Sequence, residues 1–284
     1  MKKFGSVYNE TFFYMFFKSI TVPCLRLVSA RCVFSIIKNF FFLQYRCALL
    51  KRVPVSKADH PLDEKIIFNP SWVSIYLDFV NFWVRMLSFF LRNFKRRAYI
   101  PVMNFIESMD RLYAFASIVY RKNLSTTKRP FYIKKPKFFL IHLTDPHLMC
   151  IPSLHVMVVI RTYTLFKEAI KSLGEELRYA PQLEELRRGA IAITEAVLYI
   201  KQHSVNCVSA AMYAIACFEP RLFPLVEAER FVSGLFCGTQ EENTVSKEDS
   251  LMIREHILSL YRSFIAQKEK SNDWTEPLLG FLRL

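Results

Sequence analysis

No stretch of this chain longer than 17 residues escapes Asp, Glu, Lys or Arg, and residues 202–218 set that limit. A helix that crosses a bilayer needs about 20 predominantly apolar residues, so no single segment is an unambiguous span. The chain is nonetheless 52% hydrophobic, with 27 Phe and only 6 Gly among 284 residues. That is too apolar for a disordered chain and too poor in glycine for one built of loops. Apolar runs of this kind, each broken by a single charge, have to be buried helix against helix or against lipid. The expected fold is an all-α multi-helix bundle, embedded in a membrane as a multi-pass protein through several imperfect spans.

Charge is distributed unevenly. The formal net charge is +14, yet residues 1–144 hold 24 Lys and Arg against 7 acids, and residues 145–284 hold 15 against 18. The basic half also carries most of the Phe clusters, a combination that suits an anionic lipid surface. Nucleic acid is the rival partner. The basic residues interrupt apolar segments instead of forming one hydrophilic arm, and no nucleic-acid motif is present, so none is expected to bind. The seven cysteines are odd in number and contain no CxxC pair, which argues for reduced, buried thiols.

Three regions follow from the pattern. Residues 1–65 form a basic, aromatic, membrane-associated region that ends in a polar linker, 53–65. Its first 30 residues start like a signal peptide, but Lys18 breaks the apolar run, and an aromatic membrane-surface helix is the better reading. Residues 66–218 form a helical core. Within it, 71–91 contains only Asp78 and Arg85 as charges, 99–120 is a second helix, and 121–137 is a basic, proline-bearing loop. A further helix begins near Ser153, 167–188 reads as a solvated helix–turn–helix, and 189–218 reads as one long apolar helix. Residues 219–284 are a polar helical extension with an amphipathic helix at 251–270.

Three short segments carry chemistry. In KNLSTTKRP, six residues separate Lys122 from an Arg129-Pro130 pair; PSLH spans 152–155; and KQHSVNC contains Lys201 and His203. Lys and Arg can cradle phosphate oxygens, and the Arg fork matches them bidentately. Ser153 sits where a helix should begin, so its hydroxyl and the first free N–H groups make an anion site. Each segment alone has a bland explanation: a solvated basic loop, a chance tetrapeptide, a core histidine. His142, Asp145, His147 and Cys150 have metal-ligand chemistry within nine residues, but no regular spacing brings all four together, and no metal or other cofactor is expected.

In order and spacing the three segments resemble the signature of the type 2 phosphatidic acid phosphatase superfamily, across about residues 122–212. The Leu in PSLH and the KQH form are most similar to its branch related to inositol phosphorylceramide synthases. The resemblance implies a helical bundle and a phosphatase or phosphotransferase acting on a lipid phosphate through a phosphohistidine. It implies His203 as nucleophile, His155 as general acid, and Lys122, Arg129, Ser153 and Lys201 as phosphate-binding residues. It covers neither the N-terminal region nor 219–284, and it leaves substrate, acceptor and oligomeric state open.

Two positions depart from that signature. The family Arg six residues before the nucleophile is Val197 here, with Lys201 one helical turn further on. The family Asp four residues after the nucleophile, which orients its imidazole, is Cys207, a weak acceptor. Asn206 is the expected substitute for it. The competing expectation is a catalytically weakened membrane protein that binds a phosphate head group without turning it over.

Overall fold

A computed structural model describes residues 5–238 and 245–284. It is 73% helical, with one two-stranded sheet. The all-α expectation therefore holds at the level of the bundle, while the strands were not anticipated.

Helix α1 (Phe12–Thr21) is capped by the Thr11 hydroxyl, which accepts from the Phe13 N–H at 3.3 Å. Pro23 opens α2 (Pro23–Ile36), and a π-helical stretch, Ile37–Phe42, passes it without a break into α3 (Leu43–Leu50). Lys51, at φ 48°, ends the rod. The segment 53–65 is not a loose linker. It contains strand β1 (Val55–Lys57) and a 3-10 turn, Pro61–Lys65, capped by His60. The turn's proline, the His60 ring and the Asp63 side chain fix its start, because His60 and Asp63 satisfy each other's backbone N–H groups.

The apolar segment from residue 71 forms α4 (Val73–Leu77) and α5 (Phe79–Phe94). Asp78 lies at the junction and is ion-paired with Arg85, so its two charges neutralise each other within the bundle. Helix α6 (Tyr99–Lys122) leads into β2 (Leu124–Thr126), which pairs in parallel with β1, Ser56 opposite Ser125. After α7 (Pro136–Thr144) comes α8 (Leu154–Ser172). Residues Val156 to Ile160 are all fully buried, leaving no solvated stripe, so α8 is the central helix. It packs against α5 and α6. Gly174, at φ 70°, ends the helix: its N–H bonds the Lys171 carbonyl and the Glu175 N–H bonds the Ile170 carbonyl, a Schellman closure. Helix α9 (Ala180–Tyr199) then returns along α8.

The apolar run 189–218 is two helices, not one. It breaks after Tyr199, passes through Lys201 at φ 56°, and restarts as α10 (Val205–Phe218). Ser204 provides the physical reason. Its hydroxyl accepts from the Asn206 N–H at 3.2 Å and caps the new helix. Helices α11 (Leu225–Ser233), α12 (Lys247–Glu269) and α13 (Glu276–Leu282) complete the chain, α12 lying along α10. Trp274 anchors the last segment by stacking on Phe115 with ring centroids 3.8 Å apart.

The seven cysteines are free, with Cys32, Cys47, Cys150 and Cys207 buried, Cys217 half-buried, and Cys24 and Cys237 exposed. Segments Pro23–Leu50 and Pro70–Lys122 are long and apolar enough to cross a membrane by length and composition, although the second contains the Lys95 turn at φ 51°. Large apolar side chains stand exposed on α1 and α2, among them Phe13, Phe16, Phe17 and Phe34.

Candidate functional site

The short sheet is what brings the distant segments together. Strand β2 takes β1 on one side and the chain around Met149 on the other. Ser125 is the hinge of this arrangement: its backbone pairs with Leu148 and Cys150, and its hydroxyl accepts from the Ile151 N–H at 2.7 Å. The Tyr120 hydroxyl, on α6, donates to the Pro152 carbonyl. The PSLH segment is thus fixed at the N-terminal end of the central helix, and the 199–205 turn between α9 and α10 lies beside it.

His155 and His203 meet there, ring centroids 5.5 Å apart and ring planes inclined at 60°. His155 is held between Tyr76, at 4.5 Å, and Phe79, at 4.2 Å. This apolar setting pushes its pKa down to about 4, with Asp145 acting in the other direction. His203 is 8% exposed. Burial holds its pKa well below the usual range, the other imidazoles add to that, and a hydrogen bond with the Cys150 backbone opposes it. Both rings are therefore neutral near pH 7 when nothing charged is bound.

Arg129 reaches the same place. Its Nη1 donates to Gln202 Oε1 at 3.2 Å and its Nη2 to the Asp145 carbonyl at 3.3 Å, with the Asp145 carboxylate 3.7 Å away. Three buried polar atoms in this neighbourhood have no hydrogen-bond partner: Ser153 Oγ, Gln202 Nε2 and His203 Nδ1. Buried polar atoms are paired in the great majority of cases, so three orphans around two imidazoles mark a polar site. Ser153 occupies the N-cap position of α8, yet its side chain makes no capping bond, so the hydroxyl is not committed to the helix.

The other expected phosphate ligands are engaged elsewhere. Lys122 Nζ donates to Asp273 at 3.1 Å and to Thr275 at 3.0 Å. Lys201 donates to the Asp63 carbonyl. The helical-turn argument relating Val197 to Lys201 does not apply, because Lys201 lies in the left-handed turn beyond α9. The same break separates His203 from Cys207. The Cys207 thiol accepts from the Ser204 N–H at 3.4 Å, inside the cap of α10. Asn206 bonds the Ala58 carbonyl at 3.2 Å and the His256 ring at 2.8 Å, so it does not orient His203. The backbone at Cys150 occupies that position instead.

Gln202 and Tyr76 belong to the neighbourhood and were missed as site residues, while Asp145, weighed from the sequence as a metal ligand, belongs to it as the partner of Arg129. Gln202 carried a readable signal, a polar residue opening an otherwise uncharged apolar run. Tyr76 carried none, since nothing local distinguishes it from the other aromatic residues of the apolar segment 71–91. His147 and Cys150 are adjacent, the sulfur 3.8 Å from Nε2, but Thr127 also holds that nitrogen, at 2.9 Å. Among the described residues no group of three or more His, Cys, Asp or Glu is disposed to hold a metal ion. No family model, curated protein or solved structure matches this chain.

Proposed function

We propose that this site hydrolyses or transfers the phosphate of a lipid phosphate ester through a phosphohistidine at His203, in the manner of the type 2 phosphatidic acid phosphatases that the motif order resembles. The observation that carries the reading is the set of unpartnered buried atoms at and next to the paired imidazoles, Ser153 Oγ, Gln202 Nε2 and His203 Nδ1, with the Arg129 guanidinium bonded to Gln202. A tetrahedral oxyanion offers acceptors to the hydroxyl, the amide and the guanidinium at once.

The chemistry follows from the protonation states. A nucleophilic imidazole has to be neutral, and burial keeps His203 so. A bound phosphate dianion favours the charged form of a neighbouring imidazole, and His155 takes up a proton as the substrate binds. The His203 nitrogen forms the N–P bond, the P–O ester bond breaks, and His155 gives its proton to the departing alkoxide. Water or an alcohol then attacks phosphorus, the N–P bond breaks, and His155 accepts the attacker's proton. Arg129 neutralises the equatorial oxygens. Lys122 and Lys201, tied to Asp273 and Asp63, are not assigned that role.

The test is phosphate release from a short-chain phosphatidate by the detergent-solubilised full chain. Release is expected; retention of the lipid phosphate without release favours the second reading, a head-group binder that does not turn over. That reading draws on the absence of a carboxylate at 207. Substituting Cys207→Asp separates the two effects. Position 207 addresses the Ser204 N–H and not His203, so the substitution should leave the specific rate of release within about threefold, a change of under ~1 kcal/mol in barrier. A gain of a hundredfold or more would show that the missing carboxylate limits the reaction.

A further inference from the structure

A second feature, away from the two imidazoles, lies at the N-terminal end of the chain. Helix α1 has three faces. Met15 is buried against α5, where Ser88 Oγ accepts from its N–H at 3.2 Å. Phe13, Phe17 and Ile20 project outward, each more than half exposed at 65%, 58% and 54%. On the third face Tyr14 and Lys18 help to line a cavity of about 620 Å³ with Lys95, Arg96, Arg97 and Tyr99 at the end of α5. None of the lining residues is acidic. Glu10, in the same region, is taken up by Arg92 at 2.9 Å. Lys95 stands at φ 51°, where the chain turns out of α5 and presents the Lys-Arg-Arg run. On the opposite side of α1 is an apolar cleft of about 390 Å³, bounded by Met15, Phe16, Val33, Ile37, Val80 and Trp83.

We propose that α1 and the end of α5 form a binding site for an anionic phospholipid of a bilayer. Its head group lies in the cationic pocket and its acyl layer meets the exposed aromatic face of α1 and the cleft beyond it. Four cations without a carboxylate answer a phosphate-bearing head group, and tyrosines at the rim suit the water–lipid boundary. Exposed phenylalanines beside them need an apolar environment, which a soluble anion cannot supply. A second copy of this chain is a poor occupant, since it would bring like charges together in a protein of net charge +14. The inference does not depend on turnover at His203, because it concerns binding alone.

Trp83 lines the cleft and serves as the reporter. In the full chain with Trp72→Phe and Trp274→Phe, Trp83 is the remaining tryptophan. Its fluorescence is titrated in mixed detergent micelles with dibrominated phosphatidylglycerol or dibrominated phosphatidylcholine. Quenching is expected at a mole fraction of the anionic lipid about tenfold lower than of the neutral one. Lys95→Gln with Arg96→Gln, both exposed, should abolish most of that preference. Lys268→Gln with Lys270→Gln, which removes the same charge elsewhere, should leave it. Equal quenching by both lipids, equal loss in both double variants, or displacement of the anionic lipid by millimolar inorganic phosphate would overturn the proposal.

Discussion

Replacing His203 with Ala is expected to lower phosphate release from short-chain phosphatidate by at least about 10³-fold, because it removes the atom that bonds to phosphorus. No other imidazole substitutes for it. His155 is the nearest ring, 5.5 Å between centroids, and it lies between Tyr76 and Phe79, an environment suited to handling a proton and not to replacing an in-line nucleophile. His155→Ala should lose about 10²- to 10⁴-fold, the range for a positioned general acid. Its loss should shrink when the leaving group is a good one, such as a nitrophenolate, whereas the His203→Ala loss should persist. Since His203 is buried, a melting temperature well above the assay temperature accompanies each variant, and His203→Gln, which keeps most of the volume, should be as inactive as His203→Ala. Equal release by wild type and both His203 variants would remove the assigned nucleophile.

The second large effect is acid destabilisation between pH 6.5 and about 4. His147 and His155 each have pKa values pushed from 6.5 down to about 4, in both cases chiefly by burial. The unfolded chain takes up these protons near pH 6.5 and the folded chain does not, so stability is full above pH 6.5. It declines as pH falls, and the decline ends near the folded values. Each ring contributes about 3 kcal/mol of lost stability across that window. His203 and His256 act in the same direction. Two rings alone thus approach the ~5–15 kcal/mol by which a domain is stable at all. A fall of roughly 10–20 °C in Tm between pH 7 and pH 4.5 is expected. The Glu184 carboxyl, held down to about 2 by Arg187 and Arg188, loses its contribution only at lower pH and leaves the window clear. Phosphate at saturating concentration should flatten the curve, because an anion stabilises protonated His155. A Tm that is constant from pH 7 to pH 4.5 would contradict the buried, neutral state of these rings.

The helical character was legible because it is written in composition and in the spacing of the apolar runs. The start of α8 at PSLH, the turn before α9 and the long α6 were all readable from breakers and periodicity. Two features were not. The strand pair β1–β2 is three residues long in each strand, too short for an alternation signal, and its stability comes from contacts such as Ala58 N–H with the Thr126 carbonyl at 2.9 Å that sequence spacing does not encode. The break between α9 and α10 was hidden by the apolar periodicity around it, although Ser204 just before a long apolar run is a cap signal that outweighs periodicity there.

That break decides how the candidate site was misjudged. Treating 189–218 as continuous put Lys201 on the face of Val197 and Cys207 on the face of His203. In the folded chain Lys201, His203 and Cys207 occupy a left-handed turn, a connecting residue and the first turn of the next helix. The proximity of His155 to His203 was anticipated from motif order, and Arg129 arrives at Gln202, the residue before His203. The destinations of Lys122 and Lys201 were not, since Asp273 lies 151 residues from Lys122 and Asp63 lies 138 residues from Lys201. Long, flexible lysines take whichever acceptor the tertiary fold presents, and local sequence does not specify it.

Rapid-quench labelling tests most directly whether His203 attacks phosphorus. Wild-type protein is mixed with phosphatidate carrying a radioactive phosphate and quenched in base within milliseconds. The account predicts a base-stable, acid-labile label that maps to the peptide containing His203, appears before free phosphate, and is missing in His203→Ala. Phosphate release by wild type with no label on residue 203, matched by release from His203→Ala, would contradict it.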